Sequence, residues 1–161
     1  MTTIAVTGHM DLTDASVPLV REALREALRP YADDLTGVSC IAKGSDSLFA
    51  EAVLELGGRL VVVIPSKDYR QNKVKPDHAE TFDRLTQAAD EVVVLDHETA
   101  NRSAYEDANS HLLKHADRLV AVWNGQPPSG KGGGTADTAL EAHEASLPVD
   151  VVWPNGAARR G

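Results

Sequence analysis

The chain of 161 residues has one cysteine, few aromatic residues and no long apolar run, and each shortage removes a class of protein. Cys40 alone allows no internal disulfide, and its apolar neighbours make it read as a small buried hydrophobe. No stretch approaches the roughly 18 apolar residues of a membrane-spanning helix. Met1-Thr2-Thr3 leads straight into an apolar β run, so neither a signal peptide nor an anchor is expected, and the expected compartment is the cytoplasm. A formal net charge of −8 argues against broad nucleic-acid binding, which needs a basic surface that releases counterions. An acidic protein still holds a small anion wherever one pocket is locally positive.

Familiar fingerprints are missing too. The dinucleotide pattern G-x-G-x-x-G does not follow the first strand, where only Gly8 stands. Gly125 to Lys131 matches G-x-x-x-x-G-K, but Gly132 replaces the Ser or Thr that holds Mg²⁺, and Pro127 and Pro128 remove backbone donors. His111 is not followed by Glu, so H-E-x-x-H fails at His111 and His115, and no metal site is expected. No Ser-His-Asp or Cys-His arrangement is legible, and Cys40 has no local activator.

What is present is a regular alternation. Apolar runs at 3–7, 38–41, 60–64, 91–95, 118–123 and 149–153 read as strands. Between them, helices are expected near 14–29, 47–56, 79–89, 103–115 and 136–145, the first with Thr13 or Asp14 as its cap and Val17, Val20, Leu24 and Leu28 on one face. Several strands are apolar on both faces, as in a parallel sheet covered by helices on both sides. The pattern predicts one three-layer α/β/α domain over residues 1–154, with a mostly parallel Rossmann-like sheet of six strands and 155–161 as a loose tail. A site is then expected at the C-terminal ends of the strands.

That expectation selects four loops. Thr7, Gly8 and His9 leave the first strand, and Gly44, Ser45 and Asp46 follow the second, where Ser45 or Asp46 is also a natural helix cap. Lys67, Arg70, Lys73 and Lys75 follow the third in a polar stretch that reads first as a solvated loop and second as a lid closing over a phosphate, and that is expected to be mobile. After the fifth come Ser129, Gly130, Lys131, Gly132, Gly133, Gly134 and Thr135, opening a helix. Strand, glycine turn and helix N-terminus together cradle phosphate, since bare backbone N–H groups and the helix dipole both face the anion. On the helix at 103–115, Tyr105 and Asn109 share a face, and Asp107 stands as a candidate carboxylate for glycosidic-bond chemistry.

The order of these loops resembles the SLOG superfamily of Rossmann-like domains: Val6-Thr7-Gly8-His9 with Asp11-Leu12, then Gly44-Ser45-Asp46, then the glycine run and its helix. That group includes LOG-type nucleoside-monophosphate phosphoribohydrolases (lysine decarboxylase-like proteins), molybdenum-cofactor carriers and the DprA-type DNA-processing domain. The resemblance implies a nucleotide or nucleotide-derived ligand in the cleft, with phosphate on 130–135 and Thr7, Gly8, His9 and 44–46 on the ribose side. No required cofactor is expected, and self-association is left open.

The hydrolase branch carries Pro-Gly-Gly-x-Gly-Thr-x-x-Glu, whose last residue is catalytic. With Gly134-Thr135 aligned, Gly132 and Gly134 agree, Gly130 replaces Pro, Lys131 replaces a glycine, and Thr138 stands where Glu belongs. Asp137 is one residue early, about 100° around the helix. The phosphate half of the motif is retained and the catalytic half is not. A binder is therefore the main expectation. A phosphoribohydrolase or related N-glycosidase using Asp46, Asp107 or Asp137 is the alternative, and a ligand-responsive sensor module is another.

Overall fold

Ile4 and Val6 point to one face of the first strand and Ala5 to the other, and all three are buried, so that strand needs cover on both sides. The computed structural model, which describes residues 2–128 and 134–160, supplies it. Strands β1 (Thr2–Gly8), β2 (Leu35–Ser39), β3 (Arg59–Ile64), β4 (Glu91–Val94), β5 (Arg118–Val122) and β6 (Val149–Val151) form one sheet. Its order is β4-β3-β2-β1-β5-β6, and every pairing is parallel.

Helices α1 (Ser16–Leu28), α2 (Ser45–Glu55), α3 (Tyr69–Lys73), α4 (Pro76–Ala88), α5 (Arg102–His115) and α6 (Thr135–Glu144) make the outer layers. Ile4, Val6, Val120 and Val122 meet Val20, Leu24 and Leu28 of α1 and Phe49 and Val53 of α2. Leu60, Val62 and Ile64 meet Phe82 and Leu85 of α4 on a neighbouring cluster. On the opposite face Ala5, Val38, Val63 and Leu119 pack on Ala108 and Leu112 of α5 and Ala142 of α6. Each fully buried Leu, Val or Phe contributes about 1.5–3 kcal/mol, so these clusters, and not the exposed ion pairs on the helices, hold the layers together.

The chain steps from β1 out to β4 on one side, then crosses back through α5 to place β5 on the other side of β1. The reversal falls between β1 and β5, and a crevice opens above such a point because the flanking connections leave to opposite faces.

Local detail departs from the pattern read in the sequence. Helix α1 begins at Ser16 without a side-chain cap; Thr13 Oγ1 lies 2.6 Å from Ser16 Oγ, and Asp14 pairs with Arg160 instead. β2 stops at Ser39, because Ile41 takes φ +46°, a conformation that strains a β-branched residue. The stretch after β3 forms the short helix α3, not an unanchored loop, since Tyr69 is buried against Phe82 and Tyr105. The expected loose tail is fastened through residue 160. Ala158 N–H donates to Ser16 Oγ at 2.8 Å, Arg160 N–H to the Asp11 carbonyl at 2.7 Å, and Arg159 Nε to Asp11 Oδ1 at 2.8 Å.

Candidate functional site

The exit of β1 and the start of α2 are locked together. A Cβ on Gly8 would stand 2.4 Å from Ser45 Cβ and 2.9 Å from Val122 Cβ, so only glycine fits there. Ser45 Oγ donates to the His9 carbonyl at 2.8 Å, and His9 N–H donates to the Val122 carbonyl at 3.1 Å. Gly44 has φ +86°, and the His9 and Met10 carbonyl oxygens occupy the space a side chain would need, 2.9 Å away. The backbone of His9 is thus held from both sides.

Above this junction lies a cleft of about 730 Å³. Thr7, Gly8 and His9 from β1, Asp46 from α2, Tyr69 and Lys73 from α3, Tyr105 and Asn109 from α5, and Gly134, Thr135 and Asp137 at the start of α6 line it. Trp123, Asn124 and Arg159 close the side nearest β5. His9 Nε2 accepts the Asn124 N–H at 3.1 Å, which requires the neutral ring, and the imidazole stands edge-on to Trp153. Burial lowers the His9 pKa, and the Arg159 guanidinium lowers it further. Burial is the largest influence on Asp11 and opposes its ionisation, but the bond to Arg159, the Arg159 charge and smaller contributions from its own backbone and His9 together outweigh it and hold that carboxyl below its ordinary range.

Asp46 is the most perturbed acid of the cleft. The residue is half-buried, its Oδ1 is shut off from solvent without a hydrogen-bond partner, and burial pushes its pKa up to about 7 against the pull of the Ala42 N–H. Leaving a buried polar atom unpaired costs about 1–3 kcal/mol, and such strain gathers at functional positions. The loop that presents it is tightly determined. Ser39 Oγ accepts the Ile41 N–H and donates to the Asp46 carbonyl, each at 3.0 Å, while His78 Nε2 lies 2.9 Å from the Ile41 carbonyl. Burial raises the Cys40 thiol and the Tyr69 phenol above their ordinary values, and the charge of Asp46 raises both further. The lone thiol therefore carries little thiolate near neutral pH.

The structure sorts the residues singled out in the sequence. Thr7, Gly8, His9, Asp46, Gly134, Thr135 and Asp137 share the cleft. Gly44 and Ser45 do not line it but support it from below, and neither Ser45 nor Asp46 caps α2, whose N-cap is Gly44. Gly130, Lys131, Gly132 and Gly133 lie outside the described residues. Asp107 turns away from the cleft to His97 Nε2 at 2.5 Å, because it follows the α5 stripe of Tyr105, Ala108, Asn109 and Leu112 on another side of the helix. Asp137 accepts the Gly134 N–H at 3.2 Å, and Thr138 Oγ1 donates to the Gly134 carbonyl at 3.1 Å.

Of the basic stretch, Lys67 is tied to Glu98 and Asp96, and Arg70 to Asp83, so neither reaches the cleft. Lys73 does line it and pairs with no described residue. Tyr69 and Arg159 line the cleft, and periodicity reveals neither. Tyr69 is an isolated aromatic in a polar run, and Arg159 arrives from the far end of the chain. Among the described residues no three His, Cys, Asp or Glu side chains converge as a metal site, and no helix is long and apolar enough to cross a membrane.

No model of a known protein family matches the sequence, and no curated protein is similar to it. Solved structures are similar in fold. DNA processing protein A (DprA) of Streptococcus pneumoniae superposes with a TM-score of 0.67 at 17% identity, covering 94% of this chain and 50% of that one. DprA of Helicobacter pylori, described with a single-stranded DNA binding mode, gives 0.66 at 17% identity over 98% of this chain and 68% of that one. The Moco carrier protein of Chlamydomonas reinhardtii gives 0.57 at 22% identity over 94% and 75%. The chain spans half the length of the pneumococcal protein. Its fold is shared with these DNA-processing and Moco carrier proteins.

Proposed function

We propose that the cleft binds a nucleotide or a nucleotide-derived small molecule, with its phosphate toward the start of α6 and its uncharged end toward α2. One observation carries the reading. The cleft of about 730 Å³ sits where the strand order reverses, walled by the Gly8 exit of β1 on one side and the first turn of α6 on the other. An anion there meets backbone N–H groups and the positive end of the α6 dipole. Lys73 and Arg159 add charge at the rim of an otherwise acidic protein. The likeness in fold to Moco carriers supports a nucleotide-like small molecule; the likeness to DprA makes single-stranded DNA the macromolecular rival.

The test is thermal unfolding in the presence of AMP, GMP, ADP-ribose, NAD, cyclic nucleotides, a pterin and a short single-stranded oligonucleotide. A ligand that binds only the folded state raises the midpoint with concentration. A rise with one small phosphorylated compound supports the reading. A rise with the oligonucleotide alone, or no rise at all, overturns it.

A second reading, hydrolysis of the N-glycosidic bond of a nucleoside 5′-monophosphate, rests on Asp46. Its carboxyl titrates near neutral pH inside the cleft, as a proton donor to a departing base must. Among the described residues the other carboxylates near the cleft are engaged and do not stand free to steady an oxocarbenium-like centre: Asp11 by Arg159, Asp137 by Gly134 and Asp107 by His97. Binding without turnover is the better account.

A further inference from the structure

We infer that His9 donates an uncharged Nδ1–H to a phosphoryl oxygen of the ligand, while Arg159 beside it supplies the positive charge. The inference rests on the nucleotide reading above and adds the side chain that fixes where the phosphate sits.

The surroundings of the imidazole decide where its proton lies. The Asn124 N–H donates to His9 Nε2 at 3.1 Å. A backbone N–H has no lone pair, so Nε2 must supply one, and the neutral ring keeps its single proton on Nδ1. Protonating Nε2 as well would set two N–H groups head to head and leave that of Asn124 unpaired. Burial keeps the ring neutral and the Arg159 guanidinium reinforces it, against the weaker pull of the Asp11 carboxylate.

That proton has nowhere to go within the protein. His9 Nδ1 bonds to no described residue. Among the described residues only Asp46 Oδ1 is both unpartnered and sealed from solvent, so Nδ1 keeps an opening, and His9 lines the cleft. A folded protein ordinarily pairs such a group. An acceptor brought by a ligand completes it.

The donor is also aimed in advance. Ser45 Oγ and the Val122 carbonyl hold the His9 backbone, and the ring stands edge-on to Trp153, centroids 5.5 Å apart at 86°. Asn124 holds the far nitrogen. A donor fixed this way needs no reorganisation when its acceptor arrives.

The neighbour selects the acceptor. Arg159 lines the same cleft and spends its Nε on Asp11 Oδ1 at 2.8 Å, while its terminal nitrogens bond to no described residue. That bond also pairs Asp11, the carboxylate of this wall. A guanidinium with open ends and a neutral N–H can only donate. They suit an oxyanion that presents several lone pairs, as a phosphate does.

Two measurements test this. Long-range ¹H–¹⁵N NMR of the histidine-labelled wild type at about pH 7.5 reads the tautomer, with the His9 signal assigned by its loss in His9→Gln. His9 should show a protonated Nδ1 and a bare Nε2, and ribose 5-phosphate should shift the Nδ1–H proton. Calorimetric titration with inorganic phosphate, ribose 5-phosphate and AMP then compares wild type with His9→Asn and His9→Gln. An Asn amide reaches the Nδ1 position and a Gln amide the Nε2 position. His9→Gln should bind roughly ten- to a hundredfold more weakly, the worth of a hydrogen bond to a charged group, and His9→Asn should keep most of the affinity. An imidazole that merely braces Asn124 gives the reverse order, because Gln restores an acceptor there and Asn does not. That reversal, a proton on Nε2, or a penalty seen with the sugar phosphates but not with inorganic phosphate overturns the inference and leaves the nucleotide reading standing. Failure of wild type to bind any of the three compounds overturns both.

Discussion

Gly8 and Ser45 leave no room between them: a Cβ at position 8 would come within 2.4 Å of the Ser45 Cβ. Gly8→Ala must therefore push α2 away from β1 or bend the strand away from β5. Overpacking of this kind costs about 1–3 kcal/mol, and the resulting shift also moves His9 and the floor of the cleft. Urea unfolding of Gly8→Ala should show that loss together with weaker ligand binding. Stability within about 0.5 kcal/mol of wild type, the range of an ordinary surface change, would mean the junction is not tight.

Asp46 makes stability depend on pH in an unusual direction. Its folded pKa of about 7 lies above the ordinary carboxyl value of 3.8, so the folded state holds a proton that the unfolded chain has released. The stability it gives is full below about pH 4 and is lost as pH rises toward 7. Asp46→Asn removes the ionisation. Relative to wild type, the variant should gain on the order of 2 kcal/mol between pH 5 and pH 8. Parallel pH profiles for the two proteins, measured by chemical denaturation, would refute this.

The layered architecture was legible because parallel strands buried on both faces, such as 60–64, are written in the sequence as unbroken apolar runs. Where the sheet reverses was not, since nothing local says on which side of β1 the fifth strand will pair. Within the cleft, Thr7, Gly8 and His9 were legible from their place after a strand. Asp46 reads as a cap because Ser and Asp after glycine ordinarily are, whereas in the structure Gly44 is the N-cap of α2 and no side chain caps it. Asp107 looked available because its partner His97 sits in a connection without periodicity. Arg159 was invisible, as its partner Asp11 lies 148 residues away.

Arg159→Ala removes a cation from the rim of the cleft. Because the contact to Asp11 is partly exposed, overall stability should change little. The His9 pKa should rise, since Arg159 is second only to burial in holding it down. An NMR titration of the imidazole reads that shift directly, and binding of a phosphorylated ligand should weaken in the same variant. An unmoved His9 titration would place Arg159 away from the ring in solution.

Cys40 offers a built-in probe. Burial, together with the charge of Asp46, pushes its thiol up, so little thiolate exists at neutral pH. The native protein should react with a disulfide reagent far more slowly than the unfolded chain, and a bound ligand should slow it further, because Cys40 lines the cleft. Reaction at the unfolded rate would show the loop 39–44 open.

Base release from AMP, CMP, GMP or isopentenyl-AMP should be absent or slow. Thr138, where the hydrolases carry Glu, cannot ionise at neutral pH, and its hydroxyl is buried on the Gly134 carbonyl. Holding a substrate without stabilising its transition state does not accelerate the bond cleavage. Chromatography of the incubated nucleotides checks this. Robust turnover abolished by Asp46→Ala would promote the enzymatic reading.

The bond from Ala158 to Ser16 joins positions 142 residues apart. A ribosome makes the N-terminal partner first and releases the C-terminal one much later. Strand β1 likewise waits for β5 before its second edge is paired. During synthesis the half-sheet β1 to β4 can assemble early, while the loop after β1 stays unfastened until residues 157–160 have been released. The cleft is thus the last part of the domain to be completed, and a nascent chain has the first four strands of its sheet well before the walls of the cleft are closed.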